Sequence, residues 1–223
     1  MKTITTARGE AGAEALPPRE RILASARGLF YRNGFHAVGV DAIAEAAGTN
    51  KMTLYRHFPS KDDLIVQCLR QIGAEIDAAW AANATRHAGD PKGQLVTWLG
   101  YIAEFKLTPD ERGCAFVNAA IEHPDRGHPV RRVVEEFKSR HRRKIIELCR
   151  EAGLTDPEIL ADQLFLLIEG ARVCRQSFGD EGPATRCKDL LQSLVKAHQP
   201  RDGVTPPAGA ATAAAQPPPT RLQ

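Results

Sequence analysis

Apolar residues recur at intervals of three and four along most of the chain, which is the spacing of amphipathic helices. From Leu64 to Trp80 an apolar residue returns every four positions, through Cys68, Ile72 and Ile76. Runs of β-branched residues with strict alternation, which would indicate strands, do not occur. The pattern therefore predicts an all-α protein with about nine helices and no strand.

Both ends of the chain differ in composition from the helical middle. Residues 1–18 lack the apolar segment of a signal peptide, and we expect a flexible arm there. Residues 199–223 are rich in proline and alanine and cannot bury enough apolar area to fold, so we expect a disordered tail. The helices predicted between them cover about 19–33, 40–47, 50–58, 61–83, 90–105, 114–122, 129–152, 157–178 and 184–198.

Residues 48–58, with the sequence GTNKMTLYRHF, combine two apolar positions with an unusual density of polar side chains. Gly48 permits a tight turn after the second helix, and Ala44 is small enough for the two helices to cross closely. Leu54 and Phe58 hold the short third helix against its own domain, so the polar residues between them face outward. Two helices joined by a turn with glycine are typical of a helix-turn-helix, whose second helix enters the DNA major groove.

The outward residue types suit a double-stranded DNA operator. Lys51 can donate to guanine, Tyr55 offers its ring to a thymine methyl group, and Lys61 lies where it can reach flanking phosphates. The whole chain has a formal net charge of only +3, so the local distribution of charge matters more than the total. The predicted DNA contacts are Gly39, Thr49, Asn50, Lys51, Met52, Thr53, Tyr55, Arg56, His57 and Lys61.

Residues 34–64 resemble the DNA-binding domain of the TetR/AcrR family of bacterial transcriptional repressors. The resemblance implies an N-terminal three-helix helix-turn-helix DNA-binding domain, here residues 19–64. It also implies a C-terminal helical ligand-binding and dimerisation domain, here residues 65–198. The matching positions are Gly34, Phe35, Ile43, Ala44, Gly48, Lys51, Thr53, Leu54, Tyr55, His57, Phe58, Ser60, Lys61 and Leu64.

Two positions depart from the family pattern. The family usually has a hydroxyl residue at the start of the second helix, where this chain has Val38 and Gly39. Gly39 can still cap that helix, and its backbone remains available to a phosphate. Met52 stands where glycine is frequent, so its side chain would either meet a thymine methyl group or restrict close approach to the DNA.

Aromatic and aliphatic residues of the middle helices are candidates for lining an effector pocket. They would serve equally well as ordinary core, and the residue pattern does not separate the two roles. The resemblance places a cavity in this domain, which favours the pocket. The candidates are Trp98, Tyr101, Ile102, Phe105, Phe116, Val117, Ile121, Phe137 and His141.

The helix predicted at 157–178 is apolar around much of its circumference, so it needs burial on more than one side. Paired with the last helix, it predicts a four-helix interface between two copies of the chain. The two-fold symmetry of such a homodimer would match a palindromic operator. The predicted interface residues are Leu160, Leu164, Leu167, Ile168, Ala171, Leu191, Leu194 and Val195.

The cysteines and histidines indicate little metal or redox chemistry. The five cysteines are widely spaced and form no CxxC, so we predict neither a disulfide framework nor a structural zinc site. Cys114 follows Arg112 at a predicted helix start, where a thiolate is favoured, so it is either a core residue or a sensor of oxidants and electrophiles. His123 and His128 flank a turn without a third ligand at a suggestive spacing. We therefore predict no metal and no cofactor.

No nucleophile elbow, P-loop, HExxH or dinucleotide fingerprint is present, so we predict no catalytic residue. No apolar run approaches the ~20 residues of a membrane-crossing helix, and we expect a cytoplasmic protein with no membrane partner. The sequence thus predicts a homodimeric repressor released from its operator by a small-molecule effector. A helical binding module without operator recognition and a thiol sensor at Cys114 remain as alternatives, and activation is not distinguished from repression.

Overall fold

The computed structural model describes residues 16–103 and 112–200, which form nine α-helices and two short 3-10 turns without any strand. The all-α class that the apolar spacing predicts is confirmed. The helices in chain order are α1 Pro18–Asn33, α2 Val40–Ala46, α3 Lys51–His57, α4 Lys61–Arg86, α5 Pro91–Ala103, α6 Ala115–Glu122, α7 Pro129–Glu151, α8 Pro157–Phe178 and α9 Cys187–Ala197.

Two helix ends differ from the predicted ones by three residues. Helix α4 runs to Arg86, three residues beyond the prediction, because alanine and other residues compatible with a helix continue until Gly89. Helix α9 begins only at Cys187, since the preceding segment, Pro183–Arg186, forms a 3-10 turn. Pro183 suits the first position of that turn because its missing N–H has no partner to satisfy there.

The buried side chains form two clusters that share α4 and α7. The first joins α1, α2, α3 and the beginning of α4 to α6 and the first half of α7. The second joins Trp80 of α4 to α5, the second half of α7, α8 and α9. The boundary predicted between residues 64 and 65 therefore falls inside a continuous helix and inside a single core.

Helix α4 crosses a pair of stacked aromatic rings at Gly73. The rings of Phe116 on α6 and Phe137 on α7 lie 3.7 Å apart between centroids and 4° from parallel. A Cβ atom on Gly73 would come within 3.3 Å of the Phe137 ring. Glycine therefore allows the α4 backbone to lie directly against the ring pair.

Basic residues of α7 form ion pairs with the neighbouring helices. Lys144 and Arg140 bind the Asp77 carboxylate of α4 at 2.6 and 3.1 Å, and Lys138 binds Glu169 of α8 at 2.6 Å. Burial alone would raise the pKa of Asp77, but these cations hold it below its ordinary value. The ion pairs thus orient α7 between α4 and α8.

An aromatic cluster with one histidine lies where α4, α5 and α7 meet. The rings of Trp80 and Trp98 lie 4.0 Å apart, and the Trp80 indole N–H donates to Nδ1 of His141 at 3.2 Å. His141 is 8% exposed, and its Nε2 is buried without a hydrogen-bond partner. Burial, helped by the Lys144 cation, lowers the pKa of His141 to about 4.

Because His141 is buried, we expect the free energy of unfolding to decrease in acid. Its folded-state pKa of about 4 lies below the ordinary value of 6.5, so between these values the unfolded chain binds a proton that the folded chain does not. The stability is fully present above pH 6.5 and is lost as the pH falls toward 4. In urea titrations, the decline in unfolding free energy from pH 7 to 4.5 should be smaller in His141→Gln by roughly 2–3 kcal/mol. Equal declines in both proteins, each with native circular dichroism, would contradict this assignment.

Candidate nucleic-acid interface

Helices α2 and α3 are joined by a tight turn around Gly48. Gly48 has a φ of 58°, in the left-handed region that glycine adopts without strain. The amide of Thr49 donates to the Ala44 carbonyl at 2.9 Å and that of Gly48 donates to Glu45 at 3.0 Å, which closes the turn. The glycine turn thus has the geometry that the sequence predicts for a helix-turn-helix.

Helix α3 is fixed by two apolar anchors and a cap. Leu54 and Phe58 are fully buried in the first core. The Asn50 side-chain oxygen accepts the Thr53 amide at 2.9 Å and so caps α3, while the side chain as a whole is exposed. At the other end, the Ser60 hydroxyl caps α4 by accepting the Asp63 amide at 3.0 Å.

The opposite face of α3 presents side chains to solvent. Met52 is 83% exposed and Tyr55 is 41% exposed, although both residue types are usually covered. Lys51 and Arg56 are exposed beside them. His57 differs, since it is half-buried and its Nε2 is buried without a partner.

The lysines of the interface are already engaged by protein oxygens. The Lys51 amine lies 3.2 Å from the Asp41 carboxylate on α2, and both groups are exposed. The Lys61 amine lies 3.4 Å from the backbone carbonyl of His36, and partial burial lowers its pKa. Asp41 occurs ten positions before Lys51, so only the turn between α2 and α3 brings the pair together.

Helix α1 supports this unit through contacts that the sequence pattern does not indicate. The Arg21 guanidinium donates to the Ala47 carbonyl at 3.0 Å and to Gly48 at 3.3 Å, and the Ser25 hydroxyl donates to Ala46 at 3.1 Å. These bonds satisfy carbonyls at the end of α2, where no intrahelical partner is left. Gly39 caps the other end of α2 with an extended φ of −81°, and a Cβ added there would meet nothing.

The candidate pocket residues do not surround one cavity. Phe116 and Phe137 stack in the first core, while Trp98 and His141 lie in the Trp80 cluster. Tyr101 is 38% exposed and Ile121 is 71% exposed, while Ile102 and Val117 are half-buried. Phe105 lies outside the described residues.

An open cleft does lie near this region, between α5, α8 and the segment before α6. It opens to solvent, and its cavity volume in this conformation is about 10 Å³, which is room for a single water molecule. Of the candidate pocket residues that the structure describes, Ile102 alone lines it. The described residues that line the cleft are Ile102, Ala103, Gly113, Ile168, Ala171, Arg172 and Arg175.

The exposed apolar face of α8 is not the face predicted for the dimer interface. Most of the predicted interface residues turn into the chain's own second core, where they cannot meet another chain: these are Leu160, Leu164, Ile168, Leu191 and Val195. Leu167, Ala171 and Leu194 are half-buried against the same core. The exposed apolar residues of the two helices are instead Ile159, Leu166, Val173, Phe178 and Leu190.

Cys114 lies among charged groups from two helices. Its sulfur accepts from Arg172 at 3.3 Å, and the Lys138 amine lies 4.0 Å away. Burial alone would raise the pKa of this thiol, but the two cations lower it below its ordinary value. Burial raises the pKa of two other cysteines, Cys68 to about 12 and Cys149 to about 11.

His123 and His128, for which the sequence offers no third ligand, lie next to the carboxylate of Asp62. Sequence spacing could not indicate this, since about sixty residues separate Asp62 from the histidines. Of the helices described, none has the length and apolar character needed to span a bilayer.

Comparison with known proteins agrees with this geometry. Residues 22–68, which contain α2, α3 and the turn between them, match the model of the family described as bacterial regulatory proteins, tetR family. The chain is 32% identical to SCO4454, a TetR-family transcriptional regulator from Streptomyces coelicolor. That alignment covers 81% of this chain and 95% of the other, with a TM-score of 0.76.

Two further relatives match over most of their length. The helix-turn-helix-type transcriptional regulator YjdC of Escherichia coli strain K12 is 25% identical, over 81% of this chain and 96% of YjdC. A putative transcriptional regulator from Saccharomonospora viridis, solved in complex with choline, is also 25% identical, over 82% of this chain and 96% of that one, with a TM-score of 0.70. The similarity therefore extends through the C-terminal helices and is not confined to the helix-turn-helix.

Proposed function

Because the chain belongs to the TetR family of transcriptional regulators, we propose that it acts as a homodimeric repressor that a small-molecule effector releases from a palindromic operator. The chain is a DNA-binding regulator of the helix-turn-helix type and not an enzyme. The observation that carries the proposal is the outward face of α3, where Met52 and Tyr55 are exposed while Leu54 and Phe58 anchor the helix.

The residues of α3 divide into base-reading and positioning groups in this proposal. Met52 and Tyr55 suit apolar contact with thymine methyl groups, and Lys51 suits guanine. The ion pair of Lys51 with Asp41 is exposed, so it is worth about 1 kcal/mol or less and does not prevent transfer to DNA. Phosphate contacts fall to the surrounding residues, namely Gly39, Thr49, Asn50, Thr53, Arg56, His57 and Lys61.

A second copy of the chain would cover the exposed stripe on α8. Ile159, Leu166, Gly170 and Val173 follow one another at intervals of seven, four and three, so they share one face of the helix. A Cβ on Gly170 would meet nothing, which leaves room for a partner backbone to approach. With Leu190 of α9, this stripe revises the interface residues selected from the sequence, while the proposed four-helix arrangement stays the same.

The effector would bind between α5 and α8, where the cleft has to widen to admit it. Ile102, Ile168 and Ala171 offer apolar contact there, and the guanidinium groups of Arg172 and Arg175 favour a ligand that carries negative charge. Ile168 and Ala171 also belong to α8, which carries the proposed dimer stripe. An effector that binds one arrangement of the two subunits more tightly would shift the population toward it and change the spacing of the α3 helices.

A thiol sensor at Cys114 is the second candidate, favoured by the position of its sulfur between Arg172 and Lys138. The cations stabilise the thiolate, which is the reactive form of cysteine. The thiolate would add to the double bond of an electrophile, and the neighbouring carbon would take up a proton. Since Arg172 and Gly113 line the effector cleft, such a modification would act at the same place as an effector.

Operator binding is tested by two lysine substitutions. Lys51→Ala should reduce the preference for the operator over random DNA by about 1–3 kcal/mol, because a base contact is lost. Lys61→Ala should weaken binding to all sequences alike and flatten the salt dependence by about one unit, because a phosphate contact is lost. The measurement is fluorescence anisotropy with the DNA upstream of the chain's own gene across a range of salt.

Lys92→Ala is the control, since Lys92 is an exposed lysine in the first turn of α5, outside the helix-turn-helix. It should bind DNA as the unmodified chain does. Equal affinity of the unmodified chain for operator and random DNA at every salt concentration would contradict the proposal.

The dimer stripe is tested by a charge on α8. Leu166→Asp loses an apolar contact twice in a symmetric dimer, so the dissociation constant of the dimer should rise by about 100-fold or more. Ile121→Asp is a matched control, because Ile121 and Leu166 are both 71% exposed. Sedimentation equilibrium should show a dimer for this control. If Leu166→Asp also stays dimeric, another surface joins the subunits.

Cys114 is tested by its rate of alkylation. With limiting N-ethylmaleimide at pH 7, peptide mass spectrometry should find Cys114 modified at least about tenfold faster than Cys68 or Cys149, whose thiols burial keeps protonated. Alkylation should also weaken operator binding of the unmodified chain and leave Cys114→Ser unaffected. If Cys114 reacts no faster than the other two, it is a core residue.

A further inference from the structure

Three potential metal ligands meet where the helix-turn-helix contacts the C-terminal helices. Asp62 lies in the first turn of α4, His123 follows the end of α6, and His128 caps the start of α7. One ligand atom from each lies within 4.8 Å of the other two. The His128 Nε2 and the Asp62 carboxylate are 3.2 Å apart, and the two imidazole rings are 4.8 Å apart between centroids.

His123 is already held in the form that binds metal ions. The residue is buried, and its Nδ1 lies 3.0 Å from the Ala119 carbonyl, to which only a protonated nitrogen can donate. The neutral ring therefore keeps its lone pair on Nε2. A histidine whose second nitrogen donates to a backbone carbonyl is the usual arrangement around protein-bound metals. The ring of His36 stacks on His123 at 5.0 Å and further restricts its orientation.

His128 requires one rearrangement. In the ion-free chain its Nδ1 accepts the Val130 amide at 3.3 Å, so the proton of the neutral ring is on Nε2, facing Asp62. Binding of an ion through Nε2 moves that proton to Nδ1, and the long contact with Val130 is lost. Val130 is fully buried, so its amide loses its acceptor, and ion binding has to offset that loss. The Asp62 carboxylate, which faces Nε2 in the ion-free chain, then binds the ion.

The ligand set selects one class of ion. Two imidazole nitrogens and one carboxylate oxygen suit divalent transition metals, with Zn²⁺ foremost, whereas Mg²⁺ and Ca²⁺ prefer oxygen ligands throughout. Three protein ligands leave the fourth tetrahedral position to a water molecule or another small ligand. His36 does not supply it in this arrangement, because its Nε2 contacts the Glu122 carbonyl at 2.5 Å.

We propose that Asp62, His123 and His128 bind a divalent transition metal ion of the zinc class, which joins the start of α4 to the turn between α6 and α7. The site shares no residue with the effector cleft and does not include Cys114. It could bind an ion whether or not the protein acts as a repressor. Lys61, the neighbour of Asp62, contacts the carbonyl of His36, so the ion would lie beside the protein's flanking DNA contact.

Calorimetric titration tests the site on the full chain after treatment with a chelator. Zinc chloride should bind with one ion per chain, and magnesium chloride should give no binding. Asp62→Asn and His128→Gln should each weaken zinc binding by about tenfold or more, since each removes a ligand. His87→Gln is the matched control, because His87 also lies near a carboxylate, 4.0 Å from Asp90, and should leave zinc binding unchanged.

Cobalt(II) spectroscopy on the unmodified chain gives a readout that does not depend on how the variants fold. Nitrogen and oxygen ligands should produce visible absorption bands without the intense near-ultraviolet band of a cobalt thiolate. Absence of zinc binding, unchanged affinity in both ligand variants, or a thiolate band that disappears in Cys114→Ser would each overturn the proposal.

Discussion

The contact between α4 and α7 at Gly73 is the constraint on which the rest of the structure depends. Helix α4 begins directly after α3 and ends in the C-terminal core, while α7 packs on α4, α5, α6 and α8. Because Gly73 has no side chain, the α4 backbone lies directly against the ring of Phe137 on α7, which in turn stacks on Phe116 of α6. A close-packed interior transmits displacement because it has little free volume. A shift of α7 would therefore displace α4 as well.

Charge reinforces this connection along the length of α7. The pairs of Lys144 and Arg140 with Asp77 fasten α7 to α4, and the pair of Lys138 with Glu169 fastens it to α8. Ion pairs of this partly buried kind contribute modestly to stability, but their geometry is specific. Helix α7 thus connects α8, which lines the proposed effector cleft, to α4 and the DNA-binding helices.

Local structure was predictable from the sequence, and contacts between distant segments were not. The spacing of Leu54 and Phe58 predicted how α3 is anchored, because an anchored helix needs apolar residues on one side only. The same reasoning could not orient α8, because Leu164 and Leu166 are equally apolar and only the packed structure shows that Leu164 faces inward. The contact between Asp62 and His128 could not be predicted either, since no periodic pattern links the two residues.

The candidate pocket shows a further limit of the sequence. Aromatic residues such as Phe116 and Phe137 have the composition of a binding site, yet they fill their own space by stacking on each other. Whether apolar side chains enclose a cavity depends on how helices approach, and that distance was set here by the absence of a side chain at Gly73. Composition alone therefore cannot separate a lined cavity from a packed core.

In the proposed complex with DNA, Lys51 exchanges one anion, the Asp41 carboxylate, for another on the DNA. In the free protein the Asp41 carboxylate partly neutralises the lysine, so fewer small ions surround it than surround an isolated cation. When Lys51 moves to DNA, the carboxylate it leaves takes up counterions while the DNA releases them. The two effects oppose each other, so Lys51 should add less to the salt dependence of binding than a lysine without an acidic partner. A base-reading lysine can in this way discriminate between sequences while adding little to the general attraction for any DNA.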